Sequence, residues 1–166
     1  TSGVVLIAKD RETCQAIHRS DTMEKTYWCV VHGTPPIEFV CNEPMEPDPT
    51  HPTRQQCGAG KEAATLFERL AHRDGFSLLE ARPQTGRTHQ IRCHLAHAGW
   101  PIVGDSLYGG DHGVDTARQL LHAHTLRFVH PTQGSMTVDA PAPTDLREAC
   151  ASLGLPLPQK LGGVRV

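Results

Sequence analysis

Gly86 on one side and Gly99 with Pro101 on the other fence the stretch Thr88–Ala98, so the chain can hold one short helix there and nothing longer. Thr88, Ile91, Leu95 and Ala98 fall on one face of that helix, which gives it an apolar side to bury. The residues just before it, Phe76–Arg82, suit a β-strand, so Thr85-Gly86 reads as a strand-to-helix transition. Between Arg82 and His97 the chain carries three arginines and three histidines and no carboxylate, although its formal net charge is −2. A cationic patch on a near-neutral body excludes binding through bulk charge and points to an anionic ligand in a local cleft.

The flanking segments define a strand-rich chain. Gly3–Ala8 reads as a buried strand, and Asp10 is placed to cap a helix running to about Arg19. Lys25–His32 reads as a strand. Six of the thirteen prolines fall between Pro35 and Pro52, which makes residues 34–60 a solvated, Pro-rich excursion with a short edge strand at Glu38–Cys41. Glu62–Leu70 and Phe76–Arg82 flank Asp74-Gly75, a hairpin signature. Leu120–Val129 and Ser135–Ala140 read as further strands, and Asp145–Leu153 as a closing helix ended by Gly154. With no regular βαβ alternation, the expected class is α+β, a single domain over residues 1–166.

Composition narrows the function classes. At 166 residues and 38% apolar content the chain can bury one core. No stretch approaches the length of a membrane span. The six cysteines are scattered without a C-x-x-C pair, which fits free thiols in a reducing compartment, so a cytoplasmic location is expected. A further expectation is a monomer that needs no membrane and no metal.

Individual residues carry two readings each. Arg87 lies in the first turn of the expected helix, where the macrodipole disfavours a cation, and borders the apolar stripe. Such a placement needs a carboxylate or phosphate, either a structural ion pair or a functional partner. Thr85, Gly86, Thr88, His89 and Gln90 offer hydroxyls, an amide and backbone N–H groups suited to phosphate or base oxygens, with a tight turn and a packed histidine as the structural alternatives. Arg92 projects elsewhere around the helix, towards a nucleic-acid backbone or towards solvent. Tyr27 sits inside the apolar strand Tyr27–Val31 and reads first as packing, second as a platform on which a base stacks. His89, His94 and His97 with Cys93, and His122 with His124, lack the spacing of a metal site. Asp105 reads as a turn-forming residue.

Taken together, Thr1-Ser-Gly3, Lys25-x-Tyr27, Lys61 with Thr65, Pro83-x-Thr-Gly-Arg-Thr-His-Gln-Ile-Arg92-x-His-Leu95, Gly99-x-Pro-Ile-x-Gly-Asp105, Tyr108-Gly109, Leu121-His-Ala123 and His130-Pro131 resemble the large-subunit-rRNA-type pseudouridine synthases, the RluA family. The resemblance implies a largely antiparallel mixed sheet with packed helices and an RNA-binding cleft. It also implies a cofactor-free isomerase that converts uridine to pseudouridine in ribosomal or transfer RNA. Arg87 matches the arginine that pairs with the nucleophilic aspartate, and Tyr27 the tyrosine that stacks on the flipped base. That aspartate belongs to His-Arg-Leu-Asp-x-x-Thr-Ser-Gly, three positions ahead of Thr1. None of Asp10, Asp21, Asp105 or Asp145 stands in that context, so residues 1–166 alone are expected to be inactive. The alternatives of other classes are a non-catalytic RNA-binding relative or RNA chaperone, and a His-rich metal hydrolase.

Overall fold

A computed structural model describes residues 1–20, 22–110, 113–158 and 162–165; Asp21 therefore lies outside the described residues. The chain forms β1 (Ser2–Gly3), α1 (Arg11–Arg19), β2 (Glu24–His32), β3 (Glu38–Cys41), β4 (Met45–Pro47), β5 (Gln55–Cys57), β6 (Thr65–Arg73), β7 (Phe76–Pro83), α2 (Gln90–His97), β8 (Leu121–His130), β9 (Gly134–Asp139), α3 (Thr144–Ser152) and β10 (Gly163–Arg165). The class is α+β, as expected. One mixed sheet runs in the order β10-β9-β8-β2-β7-β6-β3 with every neighbouring pair antiparallel, and β1 adds a parallel pairing to β8. The strands β4 and β5 form a small separate hairpin within the Pro-rich excursion, where the sequence predicts only the edge strand β3.

Both faces of the central sheet are buried, so alternate residues of β2 feed two cores. Cys29 and Val31 pack with Leu79, Ala81 and the α2 residues Ile91 and Leu95. Trp28 and Val30 pack on the other side with Leu78 and the α3 residues Leu146 and Cys150. Tyr27 has the parity of Cys29 and packs against the α2-side core. It is set there by an irregularity: the β2–β8 register slips between Thr26, paired with Thr125, and Tyr27, paired with Ala123. A bulge of this kind re-aims the side chains beside it.

Two expected elements are corrected. Gly3–Ala8 is not a buried strand: pairing stops at Gly3, and Val5 and Ile7 are 77% and 81% exposed. The reason lies in the edge that β1 uses. A parallel continuation would reach Thr125, but β9 already occupies β8 there, with Thr125 opposite Asp139, and Ala140 N–H takes the His124 carbonyl. The strand is therefore cut to two residues, where Gly3 at φ +105° is so close to Ala123 that a Cβ would collide with its carbonyl.

The helix expected over Thr88–Ala98 begins only at Gln90, because His89 at its N-cap takes a left-handed φ of 55° that no helical residue adopts. Arg87 thus lies in the preceding loop and is exposed, so neither a helix dipole nor an apolar stripe constrains it. Other expectations hold closely. Asp10 caps α1 by accepting Thr13 N–H at 2.7 Å. Asp74-Gly75, at φ 49° and 81°, joins β6 to β7 in the two-residue turn with both residues left-handed, although β6 starts at Thr65 and not at Glu62.

Candidate active site

A cavity of about 370 Å³ opens where β1, β2, β8 and the loop before α2 meet. Tyr27 and Arg87, 60 positions apart in sequence, both line it, together with Thr1, Lys25 and His89. The Tyr27 ring is half-buried, and burial raises its phenol above the ordinary value, so it is neutral at physiological pH. Its flank is apolar, supplied by Ile91, Leu121 and Ala123. Arg87 donates its Nε–H to the Glu62 carbonyl at 3.0 Å and has no carboxylate partner among the described residues. The structural ion pair is therefore not seen, and the outer nitrogens of the guanidinium remain open to a ligand.

The six residues expected to touch RNA divide into two groups. Gln90 is buried, and its amide is fully occupied: Nε2 donates to the Ala64 carbonyl at 2.9 Å and Thr65 Oγ1 at 3.0 Å, while Oε1 accepts from Thr85 Oγ1 at 2.8 Å and Arg87 N–H at 2.9 Å. Thr85 Oγ1 also accepts the Ala64 N–H at 3.1 Å. These two side chains clamp the loop to β6 and so set where Arg87 starts. Both residues also line the cavity, with most of their side-chain hydrogen-bonding capacity engaged within the protein. Gly86 and Thr88 are exposed, and His89 stands half-buried on the cavity wall.

Arg92 also lines the cavity and does not sit in open solvent: Nε and Nη2 grip the two carboxylate oxygens of Asp105, each at 2.7 Å. The side chains are 12% and 0% exposed. Its hydrogen bond to Asp105 raises the guanidinium pKa further. Asp105 does form a turn, accepting Tyr108 and Gly110 N–H groups at its own carbonyl, but it also fixes Arg92. Arg92 in turn lies over the Tyr108 ring, 5.1 Å from its centroid. The sequence predicts the Asp105 turn; the ion pair that joins it to α2 depends on the fold.

The Thr1 end is held by a second polar chain. Arg118 donates to Ser2 Oγ at 3.1 Å, Ser2 Oγ lies 3.0 Å from His122 Nδ1, and His122 Nε2 lies 3.2 Å from the Ala140 carbonyl. In the neutral ring the Ala140 carbonyl requires the imidazole hydrogen on Nε2, which leaves Nδ1 to accept from the Ser2 hydroxyl. Burial first, and Arg118 after it, lower the His122 pKa and keep the ring neutral. Arg118 also pairs with Asp145 at 2.7 Å. His94 is a packing residue too, bonded to Thr65 Oγ1 and the Glu43 carbonyl at 3.0 Å each. Among the described residues, no group of three or more His, Cys, Asp or Glu side chains is placed to hold a metal ion. The cysteines are less scattered than their spacing implies, since Cys57 and Cys93 sulfurs approach to 3.2 Å.

Beside the cavity, sharing Lys25 and Pro83 with it, runs a polar groove of about 1280 Å³ across β2, β7, β8, β9 and β10. Its arginines are partly neutralised: Arg82 bridges Glu80 and Glu68, which face each other across β7 and β6, Arg127 meets Glu24, and Arg165 meets Asp139. No helix of the described residues is long and apolar enough to cross a membrane.

Comparison with known proteins adds an independent line. The family model described as RNA pseudouridylate synthase matches residues 1–97. An uncharacterized RNA pseudouridine synthase of Bacillus subtilis, YhcT, is 37% identical over 158 residues, covering 90% of this chain and 52% of the relative. Ribosomal large subunit pseudouridine synthase D of Xylella fastidiosa is 35% identical over 171 residues, covering 92% and 52%. A shorter relative from Zymomonas mobilis is 36% identical, covering 88% and 72%. The chain thus spans about half the length of several of the curated relatives it matches. Human RNA Pseudouridylate Synthase Domain Containing 1 shares the fold with a TM-score of 0.69 at 23% identity, covering 89% of this chain and 73% of that one. For Domain Containing 4 the TM-score is 0.70 at 21% identity, with 89% and 69% covered.

Proposed function

The chain belongs to the RNA pseudouridylate synthases, in the RluA family, and from that premise we propose that the protein isomerises uridine to pseudouridine in structured RNA at the cavity between Tyr27 and Arg87. The observation that carries this reading is their convergence on one cavity that also meets Thr1. Tyr27 offers an apolar, neutral ring on which an extruded base can stack. Arg87 offers two unengaged guanidinium nitrogens, suited to fork a carboxylate.

The proposed nucleophile is the aspartate of His-Arg-Leu-Asp-x-x-Thr-Ser-Gly, three positions ahead of Thr1. The Arg118–Ser2–His122 chain anchors the backbone that leads to it. Arg87 keeps the aspartate ionised and aimed despite burial. The C1′–N1 bond breaks, the freed uracil turns, and C5 joins C1′ while its hydrogen is lost and N1 takes up a proton. Atoms and electrons balance within the nucleotide, so the reaction needs no cofactor. Gly86, Thr88 and His89 are the proposed RNA contacts from the loop, and the neighbouring groove, with Lys25 at its junction, is the proposed path for the strand. Ribosomal and transfer RNA are the substrate classes this reading carries, with the enzyme acting as a cytoplasmic monomer.

The test follows from the chemistry. RNA labelled with tritium at uracil C5 should release the label to water when incubated with the full-length protein, and nucleoside mass spectrometry should find pseudouridine. RNA binding without release would leave a non-catalytic RNA binder instead.

A further inference from the structure

His89 has an unusual position for a cavity residue. It stands at the N-cap of α2 in a left-handed conformation and makes no side-chain cap bond. Its ring instead meets Tyr108 edge-on, with centroids 5.8 Å apart and planes at 89°, and its Nδ1 lies 3.3 Å from the Tyr108 hydroxyl. Tyr108 is 6% exposed and is not on the cavity wall, so the Nδ1 edge of His89 turns away from the cavity.

The Tyr108 hydroxyl has one hydrogen to give, and its oxygen already accepts the Gln55 N–H at 2.9 Å. Among the described residues its other hydrogen-bond partner is His89 Nδ1. A proton on Nδ1 would leave the hydroxyl hydrogen without an acceptor at a nearly closed site, at a cost of about 1–3 kcal/mol. The hydroxyl therefore donates to Nδ1, and the ring carries its own proton on Nε2. Tyr108 is itself held in place by its N–H bond to Asp105 and by Arg92 across its ring.

The groups facing His89 keep the ring neutral. Burial lowers its pKa first and Arg92 on α2 second; Asp105 on the following turn opposes them. Arg54, on the excursion side, lies 5.4 Å from the Tyr108 ring centroid and is paired with Asp48. A neutral N–H donor lacks the charge of the imidazolium that a phosphate would favour. It suits an uncharged carbonyl oxygen.

We propose that His89 serves the cavity as a neutral, Nε2-protonated hydrogen-bond donor to a carbonyl oxygen of the uracil ring, and that Tyr108 is the positioning residue that fixes this tautomer. The ligand half of the inference rests on the uridine reading above; the tautomer half rests on geometry alone.

Nitrogen NMR of the full-length protein labelled on its histidine rings tests both. At pH 7 His89 should show a bare, pyridine-type Nδ1 and a protonated Nε2. In Tyr108→Phe the two tautomers should mix, and kcat/KM on RNA should fall about tenfold, the worth of one hydrogen bond. Uridine added to the wild type should shift the Nε2–H signal, and inorganic phosphate at equal concentration should not. A protonated Nδ1, or a doubly protonated ring at pH 7, would overturn the tautomer assignment. A response to phosphate alone, or to neither probe, would overturn the carbonyl assignment. If the expected tautomer is present while no pseudouridine forms, the parent reading fails and the positioning role of Tyr108 stands.

Discussion

Arg92 and Asp105 form a two-point ion pair, 2.7 Å at each oxygen, between α2 and the turn that carries Tyr108. Removing one partner strands the other charge in a nearly closed site. Asp105→Ala is expected to destabilise the fold by about 3–5 kcal/mol, read as a lower denaturant midpoint. A loss under 1 kcal/mol would mean that water reaches the pair and screens it.

Arg87 is exposed and bonded through Nε to one backbone carbonyl, so its replacement should leave the fold intact. Arg87→Ala and Arg87→Lys are expected to cut turnover by at least about 100-fold, as for other groups that orient or stabilise charge in a reacting site. RNA affinity should change little. Turnover within a few-fold of wild type would remove Arg87 from the chemistry.

Tyr27→Leu keeps an apolar side chain against the α2-side core but removes the aromatic face. The expected loss in kcat/KM is about 5- to 150-fold, equivalent to 1–3 kcal/mol of stacking, with thermal stability close to wild type. The opposite pattern, normal activity with a lowered melting temperature, would return Tyr27 to packing alone.

Stability should fall on acidification through the buried histidines. Burial depresses the pKa of His94 and His122 below the ordinary value of about 6.5, so the unfolded chain binds protons that the folded chain refuses. Their contribution is complete above that ordinary value and is lost as pH drops below it through the depressed folded-state values. Urea midpoints measured from pH 7.5 to 5 should decline, and His94→Gln should flatten the slope. A midpoint independent of pH across that window would show that these rings titrate normally in the fold.

Cys57 on β5 and Cys93 on α2 are close enough for one sulfur to bond to the other. A small disulfide oxidant, such as oxidised dithiothreitol, should convert the two thiols to a protein disulfide while the oxidant is reduced to its dithiol. Intact mass should fall by the two hydrogens lost, and peptide mapping should join these two cysteines. Cys57→Ser should abolish the link. Mapping to another pair would show that the excursion moves relative to α2.

The sequence by itself determined what depends on short-range rules. Asp10 capped its helix, Asp74-Gly75 made its turn, and Gly99 with Pro101 ended α2, because each acts on residues within a few positions. The residue types around Thr85–Arg92 were equally legible as a cationic site, and its motifs placed the family. Which protein groups those residues bond was decided only in three dimensions. Thr85, Gln90 and Arg92 line the cavity with their neighbours, yet the partners that hold their side chains lie at the start of β6 or beyond Gly99. Gly3–Ala8 has the composition of a buried strand and lost that role because β9 reached the edge of β8 first. A hydrogen-bonding side chain or a strand edge can be satisfied only once, and the tertiary structure alone settles which partner takes it.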